Sequence, residues 1–96
     1  MDLAHSDRVE RAFANLLGEL GHFWPKEDVD YVSEEVGHGE YGDALENLIA
    51  LGLRNGKGFD PSHVKQIEAL AAAMKMTDSP FLMQLRSTTK HPARPR

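Results

Sequence analysis

The sequence predicts an all-α protein, a single small antiparallel bundle of four main helices plus a short C-terminal helix. Apolar residues recur at helical spacing in several segments, and glycine or proline falls between those segments. No stretch alternates apolar and polar residues convincingly, as a half-buried strand would. A chain of 96 residues is long enough for one domain with a modest core and too short for two.

The most regular helical pattern lies within residues 34–53, where one helix is predicted to end, the chain to turn and the next helix to begin. Gly37 and Gly39 flank the turn, because a residue without a Cβ can adopt the positive φ that ends a helix. These features predict a helical hairpin. At 100° per residue from Tyr41, the apolar side of the second helix consists of Ala44, Leu45, Leu48 and Gly52, with Ile49 and Leu51 at its margins.

Two helices are predicted before this turn. The first covers residues 7–20, with Ser6 as its N-cap, and its apolar face consists of Val9, Phe13, Leu16, Leu17 and Leu20. Phe23 and Trp24 follow in the linker and are expected to fold back over the core. The second helix covers residues 25–36, and its thin apolar stripe consists of Val29, Val32, Ser33 and Val36.

The third helix is predicted over 40–53 and ends in a glycine-containing loop at 55–58. The fourth is predicted over 61–75, capped by Asp60, and its alanine-rich end is typical of a central helix. A short fifth helix over 80–86 begins at Ser79 and Pro80. The helical domain is therefore predicted over 1–86, and 87–96 is expected to be a basic, flexible tail.

Charge and composition limit the classes of partner. Residues 1–86 carry eight basic and fifteen acidic side chains, a net charge of −7, which disfavours direct nucleic-acid binding and favours a basic protein partner. The chain has no cysteine, no apparent leader and no apolar run long enough for a membrane span. We therefore expect a cytoplasmic protein without membrane association. Its oligomeric state is not predicted.

The sequence contains no recognisable catalytic or metal-binding constellation. It lacks the nucleophile-elbow, zinc-protease and phosphate-loop motifs, and its five histidines lie in five different segments. Glu34 and His38 form the only local carboxylate–histidine pair at i, i+4 spacing. We therefore expect no enzymatic activity, no metal and no cofactor, and exposed loop positions for the histidines.

The acidic side of the second helix is the candidate partner-binding surface. Glu27, Tyr31 and Glu34 are spaced i, i+4 and i+7, which places a tyrosine among carboxylates. The alternative is that this face only maintains solubility and that Tyr31 packs on a neighbouring helix. Tyr41 is expected in the core, with its hydroxyl bonded to a partner group. The full candidate set is Glu27, Asp30, Tyr31, Glu34, Glu35, Glu40, Asp43 and Glu46.

The segment GEYGDALENL, residues 39–48, resembles the GE(Y/W)GxALExL signature of the MafI family of immunity proteins. The similarity extends to the helical layout of residues 8–85 and excludes the basic tail. MafI proteins are small bacterial antidotes to secreted polymorphic toxins. The resemblance therefore implies an immunity protein that neutralises a cognate toxin, such as a nuclease, by forming a stoichiometric complex with it. The family has no catalytic residues to transfer, so the motif implies a role and not a site.

Two other functions remain open at this point. A small helical adaptor or regulatory module would bind a cellular protein without neutralising a toxin. A helix-turn-helix DNA-binding protein is disfavoured by the acidic body and by the lack of basic residues on a candidate recognition helix.

Overall fold

The computed structural model describes residues 3–22, 24–54 and 59–90, and these form five α-helices. The helices are α1 (Leu3–Leu20), α2 (Lys26–Gly37), α3 (Tyr41–Arg54), α4 (Pro61–Ala73) and α5 (Pro80–Lys90). No strand occurs in these described ranges, so the predicted all-α bundle is confirmed. Among the described helices, none has the length and apolar character needed to cross a bilayer.

The helix bounds agree with the prediction to within one residue for α2 and α3 and differ more elsewhere. α1 already includes Leu3, the first described residue, so Ser6 lies inside the helix and is not its N-cap. A capping residue does not start a helix where the residues before it can also be helical. α4 ends at Ala73, since Lys75 adopts a left-handed φ of 59°. α5 continues four residues past the predicted end at Arg86, whereas 55–58 and 91–96 lie outside the described residues.

The core is built around α3, which packs against α2, α4 and α5, while α1 packs against α2 and α4. The apolar side predicted for α3 is buried throughout, and Leu45, Leu48 and Ile49 have no exposed surface. The predicted apolar face of α1 and two leucines of α5 complete the buried core. The α1 and α5 residues in the core are Val9, Phe13, Leu16, Leu17, Leu20, Leu82 and Leu85.

Two expectations for helix faces were wrong. On α2, Val32 is buried but Ser33 is exposed, because a helix on the outside of the bundle buries only a narrow stripe. α4 is not the central helix, since Ala69, Ala72 and Ala73 are exposed. Alanine is the strongest helix former and loses little when it faces water, so an alanine-rich run does not require burial.

Two aromatic side chains pack together and connect the linker before α2 to the C-terminal part of α3. Trp24 is buried, as predicted, and its ring centroid lies 6.0 Å from that of Phe59. The Phe59 ring in turn lies over Gly52 of α3, where an added Cβ would overlap the ring atoms. Glycine at position 52 therefore allows the aromatic ring to contact the helix backbone. Phe23, the other aromatic residue predicted to cover the core, lies outside the described residues.

His63 contradicts the expectation of exposed loop histidines, because it lies in the first turn of α4 with 4% of its surface exposed. Its Nδ1 accepts a hydrogen bond from the Asp60 backbone N–H at 3.2 Å. The ring proton is therefore assigned to Nε2, which lies 3.2 Å from Glu19 Oε1 of α1. His63 thus accepts a hydrogen bond from the residue before α4 and connects the start of α4 to the end of α1.

Two glycine-to-alanine substitutions are expected to change stability in opposite directions. Gly18 lies inside α1, and an added Cβ would meet no described atom within 4 Å, so Gly18→Ala should stabilise the protein by up to about 1 kcal/mol. Gly52→Ala should destabilise it by about 1–3 kcal/mol, because the new methyl group displaces the Phe59 ring. Urea denaturation of both variants measures the difference. Equal effects from the two substitutions would contradict the close contact at Gly52.

Candidate functional site: the acidic surface of the α2–α3 hairpin

The turn between α2 and α3 brings the acidic residues of both helices together. The backbone N–H of His38 donates to the Glu34 carbonyl at 3.1 Å, and that of Glu40 donates to the Glu35 carbonyl at 3.0 Å. Gly39 adopts a φ of +77° between them, which fits the predicted role of glycine in this turn. The chain then reverses directly into α3, so the start of α3 lies beside the end of α2.

Tyr31 is at the centre of the exposed face of α2. Its side chain is 52% exposed, which is a large value for an aromatic residue. Tyr31 is therefore not packed into a neighbouring helix, as the alternative interpretation of the sequence had it. Glu27 and Glu34 lie one turn before and after it, as their spacing predicts. Together with Asp30 and Ser33, these residues line one shallow surface depression. An apolar ring is therefore available to a partner among several carboxylates.

Asp30 is partly neutralised by its own helix. Its carboxylate accepts a hydrogen bond from Lys26 Nζ at 2.8 Å, in an exposed i, i+4 ion pair. That hydrogen bond, followed by the charge of Asp30, raises the pKa of Lys26 above its ordinary value of 10.5. Because exposed pairs of this kind are weak, a basic partner could displace Lys26 at little cost.

Three carboxylates from both helices meet at the turn. One oxygen each of Glu35, Glu40 and Asp43 lies within 4.8 Å of the others, and Glu40 and Asp43 are exposed. Glu35 is held in place by Asn47, whose Nδ2 donates to both of its oxygens at 2.9 Å. Three carboxylates are also a possible ligand set for a hard cation. Exposed acidic groups alone do not define a metal site, and this cluster differs from the Glu34–His38 pair considered from the sequence.

Glu46 differs from the other candidate residues in its contacts. It is half-buried and accepts a hydrogen bond from the Ser79 hydroxyl at 3.1 Å. Ser79 precedes α5 and accepts the backbone N–H of Phe81 at 3.3 Å, so its hydroxyl caps that helix. The Glu46 carboxylate is therefore engaged between α3 and α5, while the other seven candidates lie on α2 and at the start of α3.

Tyr41 takes the core position predicted for it. Its half-buried ring stacks against Phe13 of α1 at a centroid distance of 6.5 Å. Its hydroxyl donates a hydrogen bond to the Glu10 carboxylate, also on α1. Tyr41 thus connects the start of α3 to α1, and Tyr31 is the exposed tyrosine of the two.

The sequence pattern located the acidic face of α2 but not the carboxylate cluster at the turn. Helical spacing relates residues of one helix, whereas Glu35 meets Glu40 and Asp43 through the reversal of the chain. In the sequence, only the two glycines that predicted a tight turn indicated that these three carboxylates would lie close together. Taken together, the surface offers hydrogen-bond acceptors, negative charge and one exposed ring, which suits a basic protein surface.

Comparisons of the chain with models of protein families, with curated proteins and with solved structures found no match. The structural class defined by the described residues is thus a small five-helix bundle with an acidic helical hairpin on its surface. The MafI resemblance therefore rests on the sequence alone, that is on the 39–48 segment and on the helical layout of residues 8–85.

Proposed function

We propose that this protein is a bacterial immunity protein that binds and neutralises a cognate secreted toxin in a stoichiometric complex. The observation that carries this proposal is the similarity of residues 39–48 to the MafI signature. The acidic surface of the α2–α3 hairpin supports it, because a protein inhibitor of a basic toxin needs such a surface. Neutralisation requires no catalytic group and no cofactor from the immunity protein itself.

Several motif residues have structural roles, so the proposed binding surface lies beside the motif and not on these residues. Gly39 forms the turn, Tyr41 and Leu45 pack into the core, and Glu46 contacts Ser79. The motif residues therefore build the hairpin, and the exposed carboxylates on it are the side chains left for contact with a partner. In this chain the Tyr31 side of α2 is the proposed contact with the toxin.

The proposed mechanism is steric and electrostatic. A toxin that acts on nucleic acid presents a positively charged groove, and the acidic hairpin would occupy that groove in place of the substrate. Opposite charges also accelerate encounter, so the association rate should fall as salt rises. The cytoplasm is the proposed location, because self-protection requires the immunity protein to meet toxin inside the producing cell.

The first test is complex formation with the product of the adjacent upstream gene. Co-expression should yield a complex of fixed stoichiometry that survives size-exclusion chromatography. A complex without protection from toxicity would favour the adaptor alternative, which shares the binding surface but neutralises nothing. Absence of a toxin-like gene beside this one, together with no toxicity from the neighbouring gene products, would remove the immunity assignment.

A further inference from the structure

A second surface feature lies between α1 and α4, away from the acidic hairpin. It is a half-open groove of about 350 Å³. Its floor includes Val9 and Leu70, each 2% exposed, and its walls include the small side chains of Ala12, Ala69 and Ala73. A volume of this size is near the lower end for small-molecule pockets, which begin at roughly 300 Å³. The exposed alanines of α4 thus create an apolar recess.

The groove has a defined direction and length. Glu19 near the end of α1 contacts both His63 and Gln66 near the start of α4, so the two helices run antiparallel. Its α1 wall runs from Arg8 to Asn15, about 10 Å at the helical rise of about 1.5 Å per residue. Arg8 therefore stands at one end of the groove, and Asn15 and Gln66 line the opposite end, with the apolar residues between them. The groove is long enough for a short alkyl chain.

Arg8 is the only charged side chain among the described residues that line the groove. Within the described part of the chain its guanidinium forms no hydrogen bond or ion pair, whereas Arg11 is held by Asp7 at 2.6 Å. An arginine in this position presents a planar set of donors that matches a carboxylate. The groove thus combines an apolar middle section with a cationic end that has no partner among the described residues.

We propose that this groove binds a medium-chain carboxylate, with the alkyl chain over Val9 and Leu70 and the carboxylate on Arg8. The charge pattern selects the class of ligand, because the lining residues include one cation and no acidic group. The inference does not depend on the proposed immunity function, since it concerns a different surface and a small molecule.

Titration of the isotopically labelled protein with octanoate, kept below micelle-forming concentrations, tests the proposal. Amide resonances of α1 and α4 beside the groove should shift and saturate, and those of the α2–α3 hairpin should stay in place. Octanol, which lacks the charge, should bind more weakly. Arg8→Gln should weaken octanoate binding by about threefold or more, and Arg11→Gln, which alters an arginine that does not line the groove, should leave it unchanged.

A second pair of variants tests the channel itself. Ala69→Phe places a ring in the groove from an exposed position and should abolish saturation, while Ala72→Phe adds the same ring to an exposed position of α4 outside the groove. Melting temperatures of both variants check that each is folded. Octanol binding as tightly as octanoate, unchanged binding by folded Ala69→Phe, or shifts that do not saturate would each overturn the proposal.

Discussion

Leu48→Ala is expected to destabilise the protein by about 2–5 kcal/mol, and Leu45→Ala should have a similar effect. Both side chains are fully buried on α3, the helix that contacts α2, α4 and α5. Truncation removes apolar contacts on several sides and leaves a cavity that the surrounding helices fill only in part. Chemical denaturation followed by circular dichroism measures the loss.

Met83→Ala is the matched control for these core substitutions. Met83 lies on α5 and is 58% exposed, so its truncation should change the free energy of unfolding by no more than about 0.5 kcal/mol. A loss of that small size for Leu48→Ala would contradict the central position of α3. A large loss for Met83→Ala would indicate that its exposed surface is covered by another molecule in solution.

The largest functional effect is expected from Tyr31→Ala combined with Glu34→Lys. The first change removes the exposed ring from the centre of the α2 face, and the second places a positive charge against a basic partner. We expect binding to the proposed toxin to weaken by several kcal/mol, because charge reversal adds repulsion to the lost contact. Titration calorimetry with the purified product of the upstream gene, the proposed toxin, measures the change.

Asp78→Lys provides the same change of charge at an exposed position in the connection between α4 and α5. It should retain nearly full affinity, which separates local contact from a general effect of net charge. For the unmodified pair, raising the salt concentration should lower the association rate, because screening acts over about 8 Å at physiological ionic strength. Undiminished affinity of the double variant would move the proposed interface to the Glu40 and Asp43 side of the hairpin.

Periodicity was sufficient to predict the all-α fold because α1 and α3 each have one clear apolar face. The α3 stripe centred on Leu45 and Leu48 is buried as predicted. Of the two glycines predicted to shape the α2–α3 turn, Gly39 adopts a positive φ, whereas Gly37 is the last residue of α2. Such signals are local: they depend on side chains three or four residues apart and on residues that favour left-handed conformations.

The remaining features depend on contacts between distant segments, which periodicity does not contain. His63 is buried because Asp60 and Glu19 satisfy both of its ring nitrogens, and the Glu19 contact spans two helices. The position of α4 could not be read from its alanines, since these residues suit a buried or an exposed face equally well. The groove at Arg8 likewise exists only once α1 and α4 are packed side by side.

Growth of cells that express the upstream gene product, with and without this chain, tests the proposed neutralisation most directly. The proposal predicts that the upstream product alone arrests growth, that the unmodified chain restores it, and that the folded Tyr31→Ala, Glu34→Lys variant restores it poorly. Continued arrest in the presence of the unmodified chain, with both proteins expressed and folded, would contradict the immunity function.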